Sequence, residues 1–214
     1  GHTITELRPS LVPLESSDSY CAEMQGFALK NVGLKVFNKK GKVVYEDFGE
    51  LLFTHFGLSG PVILSASARM KDESGYRAVL DLKPALDAVT LDKRLLRDFE
   101  ENINRDFANA LSHLLPAKMI PVMVQLSGIP GNQKVNTITR AQRENLCGLL
   151  KAFPLTVTAA GSEEDIARSA SKPDVILLRL VFIRVLLVYS SDFDFRSDSH
   201  TVMRHCDVAV CMQL

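Results

Sequence analysis

Residues 49–61 run Gly49-Glu50-Leu51-Leu52-Phe53-Thr54-His55-Phe56-Gly57-Leu58-Ser59-Gly60-Pro61. Leu51, Leu52 and Phe53 are strand formers that lead into a polar pair, Thr54 and His55. Gly57 permits a tight bend, and Pro61 suits the first turn of a helix, where its missing N–H costs nothing. Ser59 or Gly60 then serves as the helix cap. The small apolar run from Pro61 to Met70 is the helix so capped. The stretch therefore reads as strand, tight loop and helix start. That arrangement presents free backbone N–H groups beside a Thr, a His and a Ser, which suits an anion, a phosphate or the electron-rich edge of a cofactor ring. The plain alternative is a structural turn whose Thr and His satisfy only local backbone groups.

Upstream, Thr3 to Leu14 carries Pro9 and Pro13, which exclude a regular helix and a central strand and leave an edge or connector. Ser16 to Ser19 is a polar loop. Gly26 to Phe37 is one bent strand or a pair, Asn38-Lys39-Lys40-Gly41 is a hairpin turn, and Lys42 to Tyr45 returns. Asp47 to Gly49 is expected to turn the chain again before Leu51. Downstream, Tyr76 to Leu82 is a strand ended by Pro84. Leu91, Leu95, Phe99, Ile103, Phe107, Leu111 and Leu115 then recur every fourth residue. They predict one long helix capped by Thr90 and stopped or kinked at Pro116. A helix from Ala117 to Leu126, strained by Pro121, ends at Gly128. Thr139 to Gln142 is a capping box opening a helix to Lys151, with Leu146, Leu149 and Leu150 inward.

The expected organisation is a connector (1–19), a β-rich part (20–83), a helical part (84–153) and an atypical C-terminal segment (154–214). The fold class is α+β, a small antiparallel β-unit plus a helical subdomain. Within the last segment, Thr156 to Gly161 is β-like, Ser162 to Ala170 suits a short helix and Val175 to Tyr189 is a dense β-branched run. That run contains Arg179 and Arg184 and is too short and charged to span a bilayer comfortably. No membrane partner is expected.

The chain has 214 residues, 25 basic and 25 acidic, and a formal net charge of zero. Neither nucleic acid nor an acidic surface is favoured by that balance. Cys21, Cys147, Cys206 and Cys211 form no Cys-x-x-Cys pair, and His200 and His205 lie in an aperiodic tail, so no metal site is expected. The cytoplasm is the default compartment. The chain opens on Gly1 rather than Met, without a signal peptide, as expected of part of something longer. It carries no Gly-x-Gly-x-x-Gly, no phosphate loop and no Gly-x-Ser-x-Gly elbow, Gly57-Leu58-Ser59-Gly60-Pro61 missing the last by one residue.

Several pieces together resemble one family. Gly1-His2-Thr3-Ile4-Thr5 with Pro9-Ser10-Leu11-Val12-Pro13-Leu14 forms one motif, and residues 49–61 form the second. Leu29-Lys30-Asn31-Val32, Asp81-Leu82-x-Pro84, Leu114-Leu115-Pro116 and Leu149-Leu150-Lys151-x-Phe153 follow in order. The combination, over residues 1–158, is similar to the BaiN/YhiN-type NAD(P)/FAD-dependent oxidoreductases, also called aminoacetone-oxidase-like flavoproteins. The resemblance implies the insert of a Rossmann-type flavoprotein whose FAD-binding half lies outside this chain, so that the chain alone is inactive. It implies FAD as cofactor, NAD(P)H as reductant and a small-molecule substrate. Thr54 and His55 are the implied catalytic residues, with Gly57, Ser59, Gly60, His2 and Thr3 toward the cofactor. After Thr158 the family continues with a Gly-Gly segment and a Gly-Glu contact, and Ala159 to Leu214 shows neither.

Two other readings compete. One is a stand-alone interaction module whose helical part docks a partner. The other places Lys93, Arg94 and Arg97 on nucleic acid phosphate, against which the zero net charge counts.

Overall fold

The computed structural model describes residues 10–70 and 75–160. Six strands in this span close into an antiparallel barrel: β1 (Leu14–Ser16), β2 (Ala28–Phe37), β3 (Val43–Phe53), β4 (Gly57–Ser59), β5 (Tyr76–Asp81) and β6 (Phe153–Ala160). Their order around the barrel is β1-β4-β3-β2-β5-β6. The α+β expectation holds, and the antiparallel unit is larger than the sequence suggested. β1 pairs with both β4 and β6, so strands more than 130 residues apart seal the wall. Closure is local: β4 covers only Leu52 and Phe53 of β3, and β1 only Val157 to Ala160 of β6.

Alternation fills the interior. Val32, Leu34 and Val36 of β2, Tyr76, Ala78 and Leu80 of β5, and Phe153, Leu155 and Val157 of β6 are all buried. Residues between them face outward, as a period of two requires. The turn at Asn38–Gly41 forms as expected, with Gly41 at φ 73° and Asn38 Oδ1 accepting from the Lys40 and Lys42 amides at 3.0 Å.

The turn expected at Asp47 to Gly49 does not exist, and β3 runs through it. Four residues of β2 (Leu29 to Val32) oppose three of β3 (Leu51 to Gly49), a bulge that bends the ladder without ending it. Gly49 lies under the short helix that follows the barrel turn, a built Cβ there reaching Val62 Cβ at 3.6 Å.

The helices are α1 (Tyr20–Glu23), α2 (Pro61–Ser67), α3 (Ala88–Glu101), α4 (Phe107–Ala110), α5 (Ile120–Ser127) and α6 (Arg140–Lys151). The every-fourth-residue stripe is not one helix. α3 ends at Glu101, where Asn102 turns its side-chain amide back to the Asp98 carbonyl (2.7 Å). Residues 103–107 then bond to 133–136, through Val135 N to Arg105 O and Phe107 N to Gln133 O. Ile103 is consequently half exposed, while Phe99 and Phe107 still meet edge to face across the break. Asp87, not Thr90, caps α3, accepting from the Thr90 amide at 2.6 Å. Pro121 sits in the first turn of α5, where no donor is needed, so the expected strain is absent. Gly128 ends α5 in the left-handed conformation, and the Thr139–Gln142 capping box opens α6.

The helical part is fastened to the barrel by three of the short sequence motifs. Lys151 Nζ meets Asp81 Oδ2 at 2.6 Å and donates to the Lys83 and Leu86 carbonyls. Lys83 Nζ donates to Leu114 O at 2.7 Å, and Leu82 N to Leu150 O at 2.9 Å. Residues 154–160, placed by the sequence reading in the C-terminal segment, form most of β6. The helix expected at 162–170, the run 175–189 and the tail 190–214 lie outside the described residues, as do residues 1–9.

Candidate functional site

The turn between β3 and β4 is built by backbone. Thr54 N donates to Gly57 O at 2.9 Å, and Gly57 N donates to Thr54 Oγ1 at 3.1 Å. The loop tip left between them is His55-Phe56. His55 is exposed, and its ring meets that of Phe56 edge-on at 4.9 Å. Thr54 and Ser59 are half-buried.

The two glycines of the stretch are consumed by the barrel. A Cβ on Gly57 would run into the Leu14 carbonyl oxygen and come within 2.7 Å of Ser16 N. Gly60, at φ 101°, precedes Pro61 as the cap of α2, and a Cβ there would lie 3.0 Å from the Glu50–Leu52 backbone. The space beside both is filled by this chain. Thr54, His55, Gly57, Ser59 and Gly60 are thus brought together on one turn, while His2 and Thr3 lie outside the described residues.

Sequence reading missed the neighbours of this turn. Ser16 N donates to Phe56 O at 2.9 Å, tying β1 to the loop tip. Ser16 Oγ donates to Asp18 Oδ2 (3.1 Å), which also accepts from Thr156 N at 2.6 Å. Tyr20 Oη donates to Pro154 O at 2.7 Å, and burial beside Asp18 raises its pKa. Cys21 is buried, and burial pushes its thiol up to about 11, so it is no nucleophile at neutral pH. Ser16-x-Asp18 is a short polar turn, and nothing local marks it as adjoining residue 56.

Two recesses occur on the helical part. One, of about 160 Å³, is apolar and lined by Leu96, Phe99, Ile103, Val135 and Ile138 with Arg143 at its rim. The other, of about 340 Å³, is lined by Leu86, Thr90, Lys93, Arg94 and Arg97. Among the described residues no group of three or more His, Cys, Asp or Glu side chains is placed to hold a metal ion. No described helix is long and apolar enough to cross a membrane.

Known proteins resemble this chain in sequence. A 3-dehydro-bile acid delta(4,6)-reductase of Clostridium scindens is 26% identical over 162 residues, which is 73% of this chain and 39% of that protein. A ribosomal RNA dihydrouridine synthase of Escherichia coli K12 is 30% identical over 130 residues, 61% of this chain and 30% of that protein. The chain thus spans about a third of the length of these curated relatives. Residues 8–165 match the family described as HI0933-like protein barrel and H2TH domain, and every described strand and helix falls inside that match. The resemblance read from the two motifs is borne out: the chain belongs to the HI0933-like, BaiN/YhiN-type family through its barrel and helical domain.

Proposed function

We propose that this chain is the insert domain of an FAD-dependent, NAD(P)H-linked oxidoreductase, and that its Thr54–Phe56 turn covers the flavin and the substrate. The observation that carries the reading is the exposed His55 on a turn whose backbone is pinned at Gly57. Family membership supports it. So do the relatives' names, a reductase and a dihydrouridine synthase, both of which describe adding hydrogen to a substrate.

The described residues fit the cofactor as a cover and not as a cradle, because Gly57 and Gly60 leave no room beside them. FAD, held mainly by adjoining sequence, would supply the hydride chemistry when bound. This chain's part is positioning and proton supply. His55 holds a proton on its imidazole and presents it at the loop tip. Thr54 Oγ1 accepts from Gly57 N and keeps its own O–H to offer a substrate oxygen. Ser59 and the start of α2 add a weak positive potential beside them. Phe56, edge-on to His55, limits the orientations of that ring and excludes water from one side.

The substrate is proposed as a small molecule and the setting as cytoplasmic. In the protein joined to its FAD-binding half, His55→Ala should slow flavin reduction or reoxidation by about a hundredfold, with Thr54→Ala weaker. Stopped-flow rates unchanged in both variants would overturn the assignment. The stand-alone module is the second reading, favoured by the apolar recess and by Ile103, 50% exposed at its edge. Failure of the joined protein to retain FAD would favour it.

A further inference from the structure

The recess over α3 concentrates charge that the chain as a whole cancels. Lys93, Arg94 and Arg97 fall three, four and seven residues after Thr90, on one side of α3, and Leu86 floors the hollow. Lys93 and Arg97 are exposed. Asp98 is the one carboxylate described as paired with either arginine, at 3.5 Å from Arg94 and 3.6 Å from Arg97. Its side chain is 14% exposed, and one carboxylate is shared between two guanidinium groups.

That pairing leaves unfinished business. Arg94 Nε and Asp98 Oδ2 are both buried and form no hydrogen bond, since 3.5 Å is an ion pair and too long for a good N–H donor contact. These two atoms face each other as an ion pair, so the 39% of the Arg94 side chain left exposed, and not its Nε, is what a ligand could reach. The nearby carboxylates have partners of their own, although Asp87 also attracts Lys93. Asp87 is turned onto the Thr90 amide, and Asp81 is held by Lys151. Lys83 faces Arg94 with its ammonium spent on the Leu114 carbonyl. Burial, and then repulsion from Arg94, lower the Lys83 pKa. Cations crowded in this way are relieved by an anion. Arg forks and a Lys point charge together match the tetrahedral oxygens of a phosphate.

We propose that this recess binds a phosphate group, with Arg94 and Arg97 as its forked donors and Lys93 as the charge at the rim. The phosphate belongs to a phosphorylated small molecule or to a polynucleotide backbone, which share this chemistry. The site stands apart from the His55 turn and does not depend on the flavin reading.

The test is an NMR titration of the 214-residue chain with inorganic phosphate at fixed ionic strength, following the Arg94 side-chain Nε–H. A saturable shift is expected, with the Lys93→Gln/Arg97→Gln double variant raising the half-saturating concentration about tenfold. Both substituted residues are exposed, so the fold is kept, and the amide spectrum checks it. Repeating with adenosine monophosphate and with a short RNA duplex separates the sources. Equal affinities assign a small phosphorylated ligand. Tighter, salt-steep duplex binding whose slope falls in the double variant assigns a polynucleotide. No saturable shift at Arg94, or the same half-saturation in the double variant, overturns the proposal.

Discussion

The barrel and the helical part solve the same problem, burial of an apolar face, by opposite means. In the barrel, strands from residues 14–16, 57–59 and 153–160 meet although they are far apart in the chain. Their fit depends on places where backbone touches backbone, above all at Gly57 against Leu14 and Gly60 against Glu50. In the helical part, contacts come from side chains at helical spacing, and the ends are set by caps at Asp87, Thr139 and Gly128. The difference carries over to the two candidate sites. The His55 turn has its shape fixed by main-chain hydrogen bonds, whereas the α3 recess is defined by side chains that could be exchanged without moving the backbone. A strand-built site is sensitive to added atoms; a helix-built one is sensitive to charge.

Three perturbations test that contrast. Gly57→Ala should cost about 3 kcal/mol or more, because a Cβ there has to displace the Leu14–Ser16 backbone that closes the barrel. Urea unfolding would read it as a lower midpoint at unchanged slope. A near-neutral result would mean that β1 yields and that side-chain packing, more than backbone contact, sets the barrel's fit.

Next in size is the fastening between the two regions. Lys151→Met strips a donor from two carbonyls and leaves Asp81 without its cation, an expected loss of about 2 kcal/mol. Asp81→Asn should cost less, and a double-mutant cycle should return a coupling of about 1 kcal/mol. Additive effects would show that the Lys151–Asp81 pair does not couple the barrel to the helices.

The smallest effect is a pH dependence. Burial, then the hydrogen bond to Asp47, pushes the Tyr45 phenol up to about 12, and burial raises Tyr20 as well. A folded-state pKa above the ordinary value of about 10 means that the stability from these phenols is complete below that pH. It is lost as the pH climbs through the folded value. Ultraviolet titration should show tyrosines ionising late, with Tyr45→Phe removing the component near 12. Ordinary ionisation of all tyrosines would contradict the burial described on the barrel wall.

Strands β2 and β5, the hairpin at Asn38–Gly41, the start of α2 and the capping box of α6 were legible because each rests on neighbours in sequence, whereas the three-residue strands β1 and β4, read as connector and loop, exist only through their pairing. The break in the stripe after Glu101 was not, since Ile103 and Phe107 keep a helical spacing that loop pairing with residues 133–136 overrides. The polar residues beside the turn, Ser16 and Asp18, escaped for a similar reason: they come to residue 56 only through the β1–β4 pairing.

By itself the sequence determined most of the longer elements, the two motifs that identify the family and the presence of a distinctive turn at residues 54–60, because propensity, capping and turn chemistry act over a few residues. Only the tertiary structure decided that the strands close on themselves, that Gly57 and Gly60 serve the barrel, and that Lys93, Arg94 and Arg97 share one hollow with a single carboxylate, Asp98, between the two arginines. Those outcomes depend on which distant surfaces meet and on how closely they approach, and no local pattern records either.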